Sequence, residues 1–143
     1  MAYKLIPQDV TTLREAFEQR KREYEALRGS GEWSGAVLYA GTLLELALKI
    51  AACGSLRVAH LPKVFQVHDL DFLSYCSGLH DHLTGNPNVY RNFGVVQTRW
   101  SMELRYEGSV MNEGDADEIH QALFDSQDGV LTFISSLSET VTP

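Results

Sequence analysis

Three groups of polar side chains interrupt the apolar segments of this 143-residue chain. The groups are Glu45 with Lys49, His68 with Asp69, and Arg105 with Tyr106. Charged and polar groups are costly to bury unless they are paired. Acids, bases and a phenol beside apolar segments therefore either satisfy one another in the core or form a site. No single motif in the chain identifies a reaction.

Glu45 and Lys49 lie four residues apart within an apolar segment, so they can pair along one face of a helix. A solvated surface pair is one interpretation. The other places Glu45 inward, against His68, Arg105 or Tyr106 from facing helices. The sequence leaves both open.

His68 and Asp69 precede a short apolar segment. The plain interpretation is that Asp69 caps a helix and His68 lies at or near the surface. The functional interpretation makes His68 a general base or a phosphate contact, because imidazole titrates near neutral pH.

Arg105 and Tyr106 follow Trp100 and precede a glycine-containing segment. A guanidinium offers a planar fork for phosphate or carboxylate, and the neighbouring phenol adds a hydroxyl or a stacking ring. The alternative is a salt bridge between helices, with Glu45 as the acceptor.

Metal and cofactor sites are not predicted. The cluster His80-Asp81-His82 lies in a predicted loop and offers three adjacent candidates, whereas a zinc site needs three or four ligands in a fixed geometry. No glycine-rich phosphate loop with a lysine-serine signature is present. We expect no metal and no cofactor.

Composition and charge limit the class of protein. The net charge is −7, with 19 acidic and 12 basic residues, which argues against general binding of duplex DNA. A small nucleotide, or RNA in a local basic groove, remains compatible. Cys53 and Cys76 are far apart and typical of buried thiols in a reducing compartment. With no secretion signal and no segment apolar enough to span a bilayer, we expect a soluble cytoplasmic protein.

Helical spacing of apolar residues dominates the chain, and strand signals are nearly absent. The pattern predicts a single all-α domain over residues 1–143, an up-and-down bundle of about five helices. The first helix starts at Asp9 or Thr11 and ends near Gly29. The second runs from Trp33 to Cys53, stops at Gly54 and is apolar nearly all round, which predicts a central position.

The second half of the chain predicts three further helices. A short one follows a cap at Asp69 or Asp71, and residues 80–94 form a loop. A fourth helix carries Val96, Trp100 and Leu104. The last begins at a capping box formed by Asp115 and Glu118.

Residues 40–49, the segment His68-Asp69-Leu70 and residues 100–106 resemble, in this order, motifs of the HEPN superfamily. The resemblance spans roughly residues 10–137. It implies a bundle of four or five helices that dimerises around a polar groove. It also implies nucleotide binding, RNA cleavage in toxin–antitoxin or defence systems, or partnership with a small nucleotidyltransferase.

The resemblance favours the non-nuclease branch of that superfamily. Family ribonucleases carry an arginine followed, after four to six residues, by a histidine. Here two residues separate Arg57 from His60, and fourteen separate Arg105 from His120. The positions that the resemblance implies for ligand binding are Glu45, Lys49, His68, Asp69, Arg105 and Tyr106.

Three hypotheses for function follow. The first is a non-catalytic, homodimeric module that holds a nucleotide, an RNA or a partner protein, with Arg105 and Lys49 on phosphates. The second is a metal-independent endoribonuclease in which His68 is the base and Arg105 stabilises the phosphate charge. The third is a structural dimerisation or adaptor domain. We favour the first, and we expect no membrane association.

Overall fold

The computed structural model describes residues 8–137, which form seven α-helices and two 3₁₀ turns and contain no β-strand. The predicted all-α class is confirmed, with more helices than the five expected. The helices are α1 (Val10–Gly29), α2 (Trp33–Leu56), α3 (Leu70–Cys76), α4 (His80–Thr84), α5 (Pro87–Arg99), α6 (Glu113–Phe124) and α7 (Val130–Leu137). The 3₁₀ turns span Lys63–Phe65 and Met102–Tyr106.

The start of α1 follows directly from its sequence. Asp9 is the N-cap, and its carboxylate accepts a hydrogen bond from the Thr12 amide at 2.7 Å. The bond favours the charged carboxylate and holds the pKa of Asp9 below its ordinary value. Leu13, Phe17 and Tyr24 form the buried stripe that packs α1 onto α2.

Helix α2 is the centre of the bundle. It contacts α1, α3, α5, α6 and α7, and almost every residue from Ala36 to Cys53 is buried or half-buried. The predicted central position is therefore correct, but the predicted stop at Gly54 is wrong. The helix continues to Leu56, and Arg57 ends it in the left-handed conformation with a φ of 55°.

The same helix is long and apolar enough, by length and composition alone, to cross a membrane. Most of its apolar stretch is buried inside the bundle, however, which is the arrangement of a core helix in a soluble protein.

The predicted loop over residues 80–94 is wrong, because α4 covers residues 80–84, α5 begins at Pro87, and Gly85 and Asn86 alone form the turn between them. Pro87 occupies the first turn of α5, where the missing N–H removes no helical hydrogen bond. The predicted fourth helix also differs, because α5 ends at Arg99. Trp100 lies just beyond it, and Leu104 lies on the 3₁₀ turn.

The predicted last helix is divided into α6 and α7. The capping box of α6 uses Asn112 and Asp115 rather than Asp115 and Glu118. Asp125 ends α6, since its carboxylate accepts hydrogen bonds from the amides of Gln127 and Asp128 at 3.1 and 2.9 Å.

Trp100 is packed directly against the backbone of α2. Its indole Nε1–H donates to the Leu38 carbonyl at 2.8 Å, and its ring lies over Gly41. A Cβ at position 41 would stand 2.0 Å from the Trp100 ring. Only a glycine admits this approach, which fixes the end of α5 against the central helix.

We expect Gly41→Ala to lower the free energy of unfolding by about 1–3 kcal/mol, because the new methyl group must displace Trp100. Gly54→Ala is the matched control on the same helix. Its Cβ would meet nothing within 4 Å, so alanine should be neutral or stabilising by about 0.5–1 kcal/mol. Urea denaturation of both variants measures the difference; equal effects would contradict the close packing.

Candidate functional site

A buried ion pair lies in the middle of α2. Lys49 Nζ is 3.4 Å from Glu45 Oε2, and the two side chains are only 5% and 6% exposed. The interpretation as a solvated surface pair is therefore wrong. The Lys49 ammonium, which the sequence predicts as a phosphate contact, is buried against Glu45.

The second carboxylate oxygen of Glu45 holds His68. His68 Nδ1 lies 2.6 Å from Glu45 Oε1, and the His68 side chain is 56% exposed. A carboxylate accepts hydrogen bonds, so Nδ1 carries the proton and donates. This leaves His68 Nε2, which has no partner in residues 8–137, as the atom free for a ligand.

Asp69 acts on the backbone of α3. It is the N-cap of that helix, and its carboxylate accepts from the Phe72 amide at 3.0 Å. The capping predicted from sequence is what the structure contains. Asp69 thereby fixes the point at which the chain leaves His68 and enters α3.

His68 and Asp69 line an open cleft of about 230 Å³ between the start of α3 and the end of α5. The remaining lining residues are Leu70, Asp71, Gln97, Trp100, Ser101 and Met102. Within the described part of the chain, the side chains of Asp71 and Gln97 have no hydrogen-bond partner. The cleft thus offers an imidazole nitrogen, carboxylates, an amide and the wall formed by Trp100.

Arg105 and Tyr106 lie on the 3₁₀ turn that begins at Met102 of the cleft. The Arg105 Nε donates to the Met102 carbonyl at 3.2 Å, and a guanidinium Nη donates to the Tyr106 hydroxyl at 3.2 Å. Tyr106 is 81% exposed. Across residues 8–137, Arg105 pairs with no carboxylate, so the alternative of a salt bridge to Glu45 does not hold.

The predicted residues therefore fall into two sets. Glu45, Lys49 and His68 form one bonded group, with Asp69 beside it. Arg105 and Tyr106 form a separate exposed pair. A histidine whose Nδ1 is held by a buried carboxylate can accept or donate a proton at Nε2, and an exposed arginine can bind an anion.

The cluster His80-Asp81-His82 lies on α4 rather than in a loop. His80 stacks on Tyr75 with ring centroids 3.8 Å apart, which is aromatic packing. In the described range, no group of three or more His, Cys, Asp or Glu residues is placed to hold a metal ion.

Sequence reasoning missed a second polar group. The Tyr24 hydroxyl lies 2.7 Å from His120 Nδ1, and both rings pack with Phe124. Burial raises the pKa of Tyr24 to about 12. Burial, aided by the charge of Arg28, lowers the pKa of His120. Tyr24 fell in the apolar stripe of α1, so its spacing indicated only core packing.

Comparison of the chain with protein-family models, with curated proteins and with solved structures finds no match in any of the three.

We expect Glu45→Gln to lower the free energy of unfolding by about 3–5 kcal/mol, because it leaves the Lys49 ammonium buried without a counter-charge. The double variant Glu45→Leu/Lys49→Met removes both charges and should recover most of that loss. Urea denaturation of Glu45→Leu, of Lys49→Met and of the double variant measures the coupling. If the losses of unfolding free energy in the two single variants simply add up in the double variant, Glu45 and Lys49 do not interact, which would contradict the buried pair.

The Tyr24–His120 pair should make stability depend on pH. Because the pKa of His120 lies below 6.5 in the folded state, the unfolded chain binds more protons as pH falls through 6.5. Stability should therefore fall between about pH 7 and pH 5, and His120→Gln should flatten that slope.

Above pH 10, the folded state retains the Tyr24 proton that the unfolded chain loses. Stability should fall as pH rises from 10 toward 12, and Tyr24→Phe should lessen that fall. Chemical denaturation across both pH ranges checks the signs. If the stability of a variant depends on pH in the same way as that of the parent protein, the replaced residue is not the source of that pH dependence.

Proposed function

We propose that this chain is a non-catalytic binding module of HEPN type that holds a nucleotide in the cleft beside His68. One observation carries the proposal: His68 is half exposed in the wall of a cleft, and a buried carboxylate holds it at 2.6 Å. A purely structural histidine needs no such cleft, whereas a ligand site needs an oriented polar group at its surface.

The base and sugar of the nucleotide would occupy the cleft. Because Nδ1 is bonded to Glu45, Nε2 is the His68 nitrogen that is left for an amino or hydroxyl group of the ligand. The side chains of Asp71 and Gln97 add further acceptors and a donor. Such a set matches the exocyclic amines and ribose hydroxyls of a nucleotide.

The phosphate would meet Arg105. Asp69 and Asp71 make the cleft itself acidic, so an anionic group is favoured outside it, on the adjoining 3₁₀ turn. Arg105 carries a guanidinium with no carboxylate partner in residues 8–137, and Tyr106 places a hydroxyl beside it. The charge-assisted bonds of such a pair suit a phosphate group.

Self-association belongs to the same proposal. Several large apolar side chains are exposed, among them Val64 on the first 3₁₀ turn and Phe72 and Tyr75 on α3. Exposed apolar side chains of this kind favour an interface with a second copy. RNA or a small nucleotidyltransferase are further partners that the HEPN resemblance suggests.

Isothermal titration with ATP, GTP and a short single-stranded RNA tests the proposal. We expect saturable binding of at least one ligand. Arg105→Gln should weaken that binding by about 10–100-fold, because it removes a charge-assisted contact to phosphate. The exposed Arg105 makes few contacts, so the fold should be unaffected.

Arg22→Gln is the matched control, since Arg22 is an exposed arginine on α1 outside the cleft. It should leave affinity unchanged. Absence of heat with all three ligands, from folded protein, would overturn the proposal. Equal losses in both arginine variants would overturn the role of Arg105.

A metal-independent ribonuclease is the second candidate, and the Glu45–His68 bond favours it. A carboxylate that orients a histidine is a common arrangement for a general base. This activity would cleave RNA in the presence of a chelator, spare DNA, and be lost in His68→Gln. RNA that survives prolonged incubation with the wild-type protein would exclude it.

A further inference from the structure

A second cleft, of about 340 Å³, lies between α1, the start of α2 and α6. It shares no lining residue with the His68 cleft. Its aromatic lining residues are Tyr24, Trp33 and His120, and its charged ones are three acids and one arginine. Its volume falls within the range of small-molecule sites.

The charges around this cleft sum to a negative value. The basic lining residue, Arg28, pairs with Asp117 at 3.0 Å, so these two charges largely cancel. The other two acids, Glu25 and Glu113, are exposed, and neither forms an ion pair within residues 8–137. Two carboxylates without a counter-charge give the cleft a negative potential, which attracts cations and repels anions.

His120 adds no positive charge to the cleft. Tyr24 is 1% exposed, and its hydroxyl lies 2.7 Å from His120 Nδ1. A buried O–H needs an acceptor, so Tyr24 donates and Nδ1 carries no proton. Burial, with the charge of Arg28 as a second cause, also holds the pKa of His120 below its ordinary value. The ring is therefore neutral near pH 7 and does not offset the two acids.

The charges and the aromatic rings occupy the same part of the molecule. After burial, the same three charges act on the pKa of Tyr24 and on that of His120: Arg28 lowers both values, and Asp117 and Glu25 raise both. Charges act on one another mainly within about 10 Å in salt solution, so these carboxylates lie close to both rings. A cation in the cleft is thus near a carboxylate and an aromatic ring at once.

An organic cation suits this lining better than a metal ion does. In residues 8–137, no group of three or more His, Cys, Asp or Glu side chains is placed to hold a metal. An indole such as that of Trp33 is the side chain that attracts organic ammonium groups most strongly. A quaternary ammonium has no N–H group, so it binds through its charge and its methyl groups and needs no directed hydrogen bond.

We propose that this cleft binds a small, free quaternary ammonium compound. Its methyl groups contact the Trp33 indole, and Glu25 and Glu113 balance its charge. The same two carboxylates repel phosphate, so the cleft takes a free compound rather than the headgroup of a phospholipid. This binding is independent of the nucleotide site proposed beside His68.

Choline tests the proposal against three matched compounds. Neopentyl carbinol is its neutral analogue with carbon in place of the quaternary nitrogen, ethanolamine keeps the charge but lacks the methyl groups, and phosphocholine adds a phosphate. The chain has two tryptophans, Trp33 in this cleft and Trp100 in the His68 cleft, so the two indole N–H signals of a ¹⁵N-labelled sample report on the clefts separately. We expect choline to shift the Trp33 signal saturably and to leave the Trp100 signal in place. Each of the other three compounds should bind about tenfold more weakly or worse.

The double variant Glu25→Gln/Glu113→Gln removes both unpaired charges and keeps the size of the side chains. It should weaken choline about tenfold and leave the affinity for neopentyl carbinol unchanged. Trp33→Leu keeps an apolar side chain without the indole and should weaken choline by a similar factor in isothermal titration, with the Trp100 signal showing that the fold is kept. Glu18→Gln, exposed on α1 outside the cleft, is the matched control and should change nothing.

Any one of four outcomes would overturn the inference. They are an unmoved Trp33 signal in folded protein, equal affinity for choline and neopentyl carbinol, ethanolamine or phosphocholine bound as tightly as choline, and unchanged choline binding in the double glutamine variant. The proposed nucleotide site is judged separately, by the Trp100 signal and Arg105→Gln. Failure at one cleft therefore leaves the test of the other intact.

Discussion

The buried pair of Glu45 and Lys49 is the constraint on which the arrangement around α2 depends. Two charges inside a helix that is covered on all sides must be neutralised locally, because removing them from water costs several kcal/mol each. Lys49 satisfies one oxygen of Glu45 along the helix, and His68 satisfies the other. That second bond ties the segment before α3 to the central helix. It also sets where Asp69 can cap α3, and hence where the cleft beside His68 opens.

Two histidines of this chain are held in opposite protonation patterns. Glu45 can only accept, so the nitrogen of His68 that faces it, Nδ1, carries a proton. Tyr24 must donate, so it places the proton of His120 on Nε2 and makes that atom a donor. The partner behind each ring therefore determines what the ring presents to a ligand.

Local features of the fold were predictable from sequence, and long-range pairings were not. The caps at Asp9 and Asp69 act within three residues, and the apolar circumference of α2 required burial. Pro87 was misleading because the same residue marks either a loop or a first helical turn. The contact of Tyr24 with His120 joins residues 96 apart, and no spacing rule reveals such a pair. Glu45 could be recognised as a candidate only because a charge in an apolar helix demands a partner.

The ion pairs within the chain determine which cations remain available to a ligand. Lys49 belongs to the predicted site, but its ammonium balances Glu45 and the residue as a whole is only 4% exposed. Moving it to a phosphate would leave the carboxylate without its counter-ion in the core, a loss that one surface contact cannot offset. The proposed contact with phosphate therefore rests on Arg105, which is exposed and free of carboxylates across residues 8–137. Glu45 and Lys49 contribute by orienting His68, so their effect on binding should follow their effect on the imidazole.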